Sequence, residues 1–130
     1  MLKEIALERY LTGGRGCAAG ILEGANQYYD LGLGEDALDL FTGFRGGMGC
    51  GSTCGSLIGA IGVLNCVYKG KPELKDHCAG FVRQFEQTLA CGSLDCAVIE
   101  KKYKTPETRC SAAVALTADL LEQFLAEHPL

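Results

Sequence analysis

The chain has 130 residues, of which 48% are hydrophobic and 22% are charged, and its formal net charge is −4. This length suits one globular domain, residues 1–130, with a single core. The negative charge and the lack of a basic patch argue against nucleic acid binding. The longest apolar run, residues 57–67, is too short to span a membrane and is interrupted by glycine.

Helical periodicity recurs along the chain, whereas no useful stretch alternates with a period of two. The first residues, MLKEIALERYL, predict an amphipathic helix and not a signal peptide, so we expect a cytoplasmic protein. The expected helices are, approximately, 2–11, 15–30, 35–44, 54–67, 72–89, a short one that contains Asp95 and Cys96, and 105–127. The sequence therefore predicts an all-α bundle of about five to six helices, with short turns in addition.

Local signals refine three of these helices. In the third helix, the residues expected on the apolar face are Ala37, Leu40, Phe41 and Phe44. Ser52 or Thr53 is the expected N-cap of the central helix. Ser93 is the expected cap of the short helix, and residues 100–104 should form a charged loop. Thr105 is the expected N-cap of the last helix, with Pro106 at its first position.

A glycine-rich stretch, RGGMGCGSTCGSLIGAIG, covers residues 45–62 and leads into the central helix. Cys54 is expected in the first turn of that helix, where the positive end of the helix dipole favours a thiolate. Gly55, Gly59 and Gly62 leave one side of the helix bare, so another helix backbone or an inorganic group should approach it closely. The alternative is that Cys54 is simply a small core residue and the glycines allow tight helix packing.

The chain contains eight cysteines, and nothing in the sequence indicates export. In a reducing compartment, this number points to metal, cluster or redox chemistry more than to structural disulfides. Four of the cysteines are expected at helix starts, where unpaired amides favour negative charge: Cys17, Cys54, Cys96 and Cys110. If these starts meet, the four thiols suit a [2Fe–2S] cluster. They also suit one zinc ion, and any two of them could form a disulfide.

The other cysteines give weaker signals. Cys66 and Cys78 are expected to be buried, inert thiols because each lies in an apolar setting. Cys91 flanks a turn and is expected to be more exposed. Cys50 lies in the glycine loop, where either a ligand or a resolving thiol would fit. No C-x-x-C motif occurs, no lysine follows the glycine loop as it does in a P-loop, and neither histidine belongs to a recognisable constellation.

The cysteine pattern resembles that of a family of redox-active proteins labelled C_GCAxxG_C_C. The family's pattern can be written C…CGAxxG…C…C. The central motif corresponds to CGSLIG at residues 54–59, with Ser56 where the family usually has alanine. Cys17, Cys96 and Cys110 match the first, third and fourth cysteines. The resemblance covers nearly the whole chain. It implies a helical redox domain, and a similar domain accompanies haem in certain cytochromes, where it looks like an iron–sulfur carrier.

Three hypotheses follow. The first is electron transfer through an iron–sulfur cluster, most simply [2Fe–2S], bound by Cys17, Cys54, Cys96 and Cys110. The second is thiol–disulfide chemistry with Cys54 as nucleophile and Cys50 or another cysteine as resolving thiol. The third is a structural zinc-binding module. The sequence identifies neither the redox partner protein nor any substrate, and it is compatible with a homodimer.

Overall fold

The computed structural model describes all residues, 1–130, and its regular structure is entirely helical. The seven helices are α1 (Leu2–Thr12), α2 (Cys17–Tyr29), α3 (Glu35–Asp39), α4 (Gly55–Val67), α5 (Leu74–Leu89), α6 (Cys96–Tyr103) and α7 (Ser111–Glu127). The all-α prediction is confirmed, with slightly more helices than the five to six expected. None of the helices is long and apolar enough to cross a membrane.

Glycines set how closely the first helices pack. Gly24 of α2 faces α1 so closely that a Cβ there would lie 2.7 Å from the Cα of Ala6. In α4, a Cβ at Gly59 would overlap the carbonyl group of Ala18 in α2. Because a side chain at either position would force the helices apart, these glycines permit backbone-to-backbone contact. The expected close approach to the bare side of α4 is therefore made, at Gly59, by the backbone of α2.

Aromatic side chains fill the core between α5 and α7. Phe81 and Phe85 of α5 and Phe124 of α7 are buried, and the Phe81 and Phe124 rings meet edge-to-face at 5.5 Å between centroids. Fully burying a side chain of this kind stabilises the fold by about 1.5–3 kcal/mol. This core holds α5 and α7 together.

The third helix is shorter than predicted. It ends at Asp39, and a single 3₁₀ turn covers Thr42–Phe44. Leu38 faces the core, whereas Leu40 is 75% exposed. The expected apolar face was therefore wrong at Leu40, because the break after Asp39 changes which side chains point inward.

Several helix starts also differ from the predictions. The N-cap of α4 is Cys54 itself, because Ser52 and Thr53 belong to a short extended segment. The last helix starts at Ser111, with Cys110 as its N-cap, and residues 105–109 form a closed turn in which Thr105 and Arg109 exchange backbone hydrogen bonds. The expected charged loop at 100–104 is largely the end of α6.

The two histidines lie together, although they are 51 residues apart in the chain. The rings of His77 and His128 are 4.9 Å apart, and the His77 ring also lies against that of Tyr68, tilted, at 4.4 Å between centroids. His128 stacks on Phe124 at 4.1 Å. The Tyr68 hydroxyl donates to the backbone carbonyl of His128 at 2.7 Å, so this aromatic cluster fixes the end of α7 against α4 and α5.

Candidate thiol site

The four cysteines expected at helix starts are all found there. Cys17 and Cys96 are the first residues of α2 and α6, while Cys54 and Cys110 are the N-caps of α4 and α7. Cys17, Cys96 and Cys110 line one cavity of about 210 Å³. Cys54 is only 6% exposed and does not line this cavity, but its thiol lies near those of Cys17 and Cys96, since the thiols influence one another's pKa. The four helix starts therefore bring four thiols into one region, and three of them line the cavity.

A short backbone pairing brings α4 and α6 together. The amide of Cys54 donates to the carbonyl of Leu94 at 2.8 Å, and the amide of Cys96 donates to the carbonyl of Ser52 at 2.6 Å. These two bonds flank an isolated antiparallel bridge between Thr53 and Asp95. Because the bonds use the amides of the two cysteines themselves, they fix both residues relative to each other.

Two glycines provide room for the cysteine side chains. The Sγ atom of Cys17 occupies the space in which a side chain at Gly55 would begin. A Cβ at Gly47 would lie 2.8 Å from the Cβ of Cys96 and closer still to the backbone of Ser52. Glycine is therefore required at positions 55 and 47, because Cys17 and Cys96 occupy the space that a side chain there would need.

The glycine loop has an unusual backbone. Four consecutive residues, Gly46, Gly47, Met48 and Gly49, have φ between 61° and 74°, in the left-handed region. Glycine adopts these angles freely, whereas at Met48 they cost roughly 1–3 kcal/mol. Cys50 follows this turn, is exposed, and lies with its Sγ 3.5 Å from the carbonyl oxygen of Gly47. It does not line the cavity between the helix starts.

Tyr10 of α1 supports the site from the side. Its hydroxyl accepts a hydrogen bond from the amide of Cys110 at 3.1 Å, so it satisfies one of the free amides at the start of α7. The guanidinium of Arg109 lies over the Tyr10 ring, 4.6 Å from its centroid. Burial raises the pKa of the Tyr10 hydroxyl.

Burial of the thiols opposes the thiolate that was expected at Cys54. Burial, followed by the nearby Cys17 thiol, raises the pKa of Cys54, although the amides of Leu57 and Ser56 lower it. Burial also raises the pKa of Cys110, and it raises the pKa of Cys96 to about 11. Removal of these thiols from water therefore opposes the thiolate that the helix start was expected to favour at Cys54.

Charged side chains surround the mouth of the cavity. Three are cationic, namely Arg45, Lys104 and Arg109, and one is anionic, Glu100. Lys104 pairs loosely with Glu100 at 3.7 Å, whereas neither arginine forms an ion pair. No local sequence pattern indicates this group, because its members come from the glycine loop, α6 and the turn before α7.

The remaining cysteines lie elsewhere. Cys66 and Cys78 are half-buried, less enclosed than expected, and burial raises the pKa of each thiol. Cys91 is also half-buried, with its Sγ 3.5 Å from the carbonyl oxygen of Leu89. None of the three lines the thiol cavity.

The donor set can be compared with the needs of possible metal centres. In the conformation described, no three His, Cys, Asp or Glu side chains are close enough together to hold a single metal ion. A mononuclear zinc site needs four ligands around one ion, whereas a four-cysteine [2Fe–2S] cluster needs only two protein sulfurs at each iron. The donor set of this site is therefore four sulfurs, three of them on the cavity wall and one near two of these, without three that could share one ion.

The fold and the site together define a small all-helical protein with a four-thiol centre. A sequence profile for the family described as "Putative redox-active protein (C_GCAxxG_C_C)" matches residues 16–124, so the chain belongs to this family. The match includes Cys17, Cys54, Cys96 and Cys110. Neither a search of curated proteins nor a search of solved structures found a match.

Proposed function

We propose that this redox-active protein transfers electrons through an iron–sulfur cluster of the [2Fe–2S] type, bound by Cys17, Cys54, Cys96 and Cys110. The observation that carries the proposal is that four helix starts, each with one thiol, lie in one region, with Cys17, Cys96 and Cys110 lining one cavity and the buried Cys54 near two of them. Membership in a redox-active family adds independent support. We further propose a cytoplasmic protein that exchanges electrons with a partner protein.

The helix starts and the backbone pairing each have a role in this proposal. The thiols would lose their protons on binding, and amides of the first helical turn, such as those of Ser56 and Leu57 beside Cys54, would then favour the negative charge on sulfur. The bonds between residues 52–54 and 94–96 hold Cys54 and Cys96 in place before the cofactor arrives. When bound, the cluster supplies reversible one-electron chemistry, and hydrogen bonds to its sulfurs tune its potential.

Anaerobic purification and reconstitution with iron and sulfide test the proposal. We expect about two irons and two sulfides per chain, with a visible absorption spectrum and an EPR signal on reduction. Replacing any one of Cys17, Cys54, Cys96 or Cys110 by serine should abolish or strongly reduce iron binding. Matched controls are Cys66→Ser and Cys78→Ser, which should retain the full iron content. An iron-free wild-type protein after reconstitution would refute the proposal.

A second candidate is thiol–disulfide exchange at Cys54. The contact between the Cys17 sulfur and Gly55 places that thiol beside the neighbour of Cys54, which favours Cys17 over the exposed Cys50 as the resolving partner. In this reaction, the two thiols release two protons and two electrons as their S–S bond forms. A disulfide in the partner accepts them and becomes two thiols.

Disulfide mapping separates the two candidates. Metal-free, reduced protein is incubated with a small-molecule disulfide, and the products are digested and analysed by mass spectrometry. The exchange mechanism predicts a Cys17–Cys54 bond that wild-type forms readily and that Cys50→Ser does not prevent. A wild-type protein that binds iron but forms no such bond supports the cluster alone.

A further inference from the structure

The mouth of the thiol cavity carries more positive than negative side chains, although the whole chain is acidic. Arg45, Lys104 and Arg109 oppose a single carboxylate, that of Glu100, in a protein with a formal net charge of −4. An ordinary surface of this protein would be expected to be negative. The excess of positive charge at one small cavity therefore needs an explanation.

Both arginines at the mouth are held in position without a carboxylate. Arg109 lies over the ring of Tyr10 and donates to the carbonyls of Tyr10 and Leu11 at 3.4 and 3.3 Å. Arg45 donates to the carbonyl of Gly14 at 3.1 Å, and its side chain lies against Gly16. A guanidinium has five N–H donors, so several remain available on each arginine.

Arg15 is an example of a structural arginine in this chain. Its guanidinium pairs with three carboxylates: Glu23 at 3.0 Å, Asp39 at 2.8 Å, and Glu35. Charge neutralisation of this kind is absent at Arg45 and Arg109. The comparison indicates that the two mouth arginines are positioned for an anion from outside the chain.

We infer that Arg45 and Arg109, with Lys104, bind the anionic group of a small redox substrate, a carboxylate or an oxyanion, at the entrance to the thiol cavity. The whole cavity measures about 210 Å³, less than the roughly 300–1,000 Å³ of pockets for drug-sized ligands, and the proposed cofactor would share this space, so only a small molecule suits the entrance. The planar donor fork of arginine matches the paired oxygens of such groups. The redox importance of this site depends on the proposed function, whereas anion binding is measurable by itself.

Titration with inorganic phosphate tests the inference. ¹⁵N-labelled, reduced protein is titrated at constant ionic strength, and the amide signals of Gly16, Gly46 and Arg109 are followed by NMR. We expect saturable shifts at these residues. Arg109→Gln and Arg45→Gln should each weaken binding about tenfold or more, as expected for the loss of a hydrogen bond to a charged group.

A matched control is Arg83→Gln, which removes an exposed arginine of α5 that neither forms an ion pair nor lines the cavity. It should change phosphate affinity less than twofold. Lys104→Gln serves as a second mouth variant, because Lys104 is exposed and its removal should leave the fold intact. Non-saturable shifts, or equal weakening by Arg83→Gln, would show non-specific attraction and overturn the inference.

The same titration on iron-loaded protein distinguishes a substrate site from compensation of the cofactor's charge. Phosphate binding that persists after loading supports an entrance for substrate. Binding that is present only in the metal-free protein would mean that the arginines neutralise the cofactor, and the inference would be wrong. Failure to load iron, with phosphate binding intact, would instead reject the proposed cluster and leave the anion site standing.

Discussion

The close packing of Cys17 against Gly55 leads to a prediction that can be tested with three glycine-to-alanine substitutions. In Gly55→Ala, the new methyl group would overlap the Cys17 sulfur and lie 3.0 Å from the carbonyl oxygen of Phe44. In Gly59→Ala, it would overlap the Ala18 carbonyl group, so the strain falls on α2 and α4 at a distance from the thiols. In Gly80→Ala, the nearest atoms are 3.8 and 3.9 Å away, which is ordinary contact.

The magnitudes follow from two opposing effects. Alanine in place of glycine inside a helix stabilises by about 0.5–1 kcal/mol, so Gly80→Ala should raise the free energy of unfolding by that amount. Overpacking a dense interior costs about 1–3 kcal/mol. We therefore expect Gly59→Ala to lower the free energy of unfolding by about 1–2 kcal/mol once the alanine gain is offset. Gly55→Ala should lower the free energy of unfolding by a similar amount, because alanine stabilises less at the first position of a helix than in its interior.

The assay combines urea unfolding of reduced, metal-free protein with measurement of iron content after reconstitution. Gly55→Ala should lose both stability and iron, because Cys17 must move. Gly59→Ala should lose stability but retain more iron, and Gly80→Ala should retain both. If Gly55→Ala were as stable as Gly80→Ala and bound iron fully, the close approach of Cys17 to Gly55 would be refuted.

Four further outcomes are expected. Tyr10→Phe should lower the free energy of unfolding by about 1 kcal/mol in urea unfolding, because the Cys110 amide loses its acceptor; an unchanged midpoint would contradict this role. Met48→Gly should raise the unfolding free energy by up to about 1 kcal/mol by relieving the left-handed φ of 61°, without changing iron content. Arg15→Gln should lower the urea midpoint more than Glu35→Gln, because it leaves the buried carboxylate of Glu23 unpaired. In metal-free protein at pH 8, iodoacetamide should modify exposed Cys50 before Cys66 and Cys78, since burial raises the pKa of those two thiols and reduces their thiolate fraction; mass spectrometry gives the order.

Local sequence patterns were sufficient for much of the fold. The helical stripes of α1, α2 and α5 were predicted within about two residues at most of their ends, because apolar periodicity and glycine breaks are encoded locally. The same signals placed Cys17 and Cys96 at helix starts. For Cys110, the predicted position was nearly right for a wrong reason, since the turn at 105–109 replaces the expected first turn of α7.

Other features depend on contacts between distant parts of the chain. The inward side of α3 is one example, because Leu38 and not Leu40 is buried once the helix breaks after Asp39. The pairing of His77 with His128 is another. Neither feature follows from the apolar periodicity of one segment, because each depends on how neighbouring helices pack.

The thiol site likewise combines features that the local sequence determines with features that depend on the tertiary structure. The sequence alone determined which thiols stand at helix starts and that the chain has a redox-active family pattern, because both are properties of short segments. Only the tertiary structure decided that the starts of α2, α6 and α7 share one cavity with Cys54 close by, that Cys50 lies outside it and that Arg45 and Arg109 stand at its mouth. The physical reason is that these neighbours are brought together by helix packing through Gly55 and Gly59 and by the pairing of residues 52–54 with 94–96, which no local pattern encodes.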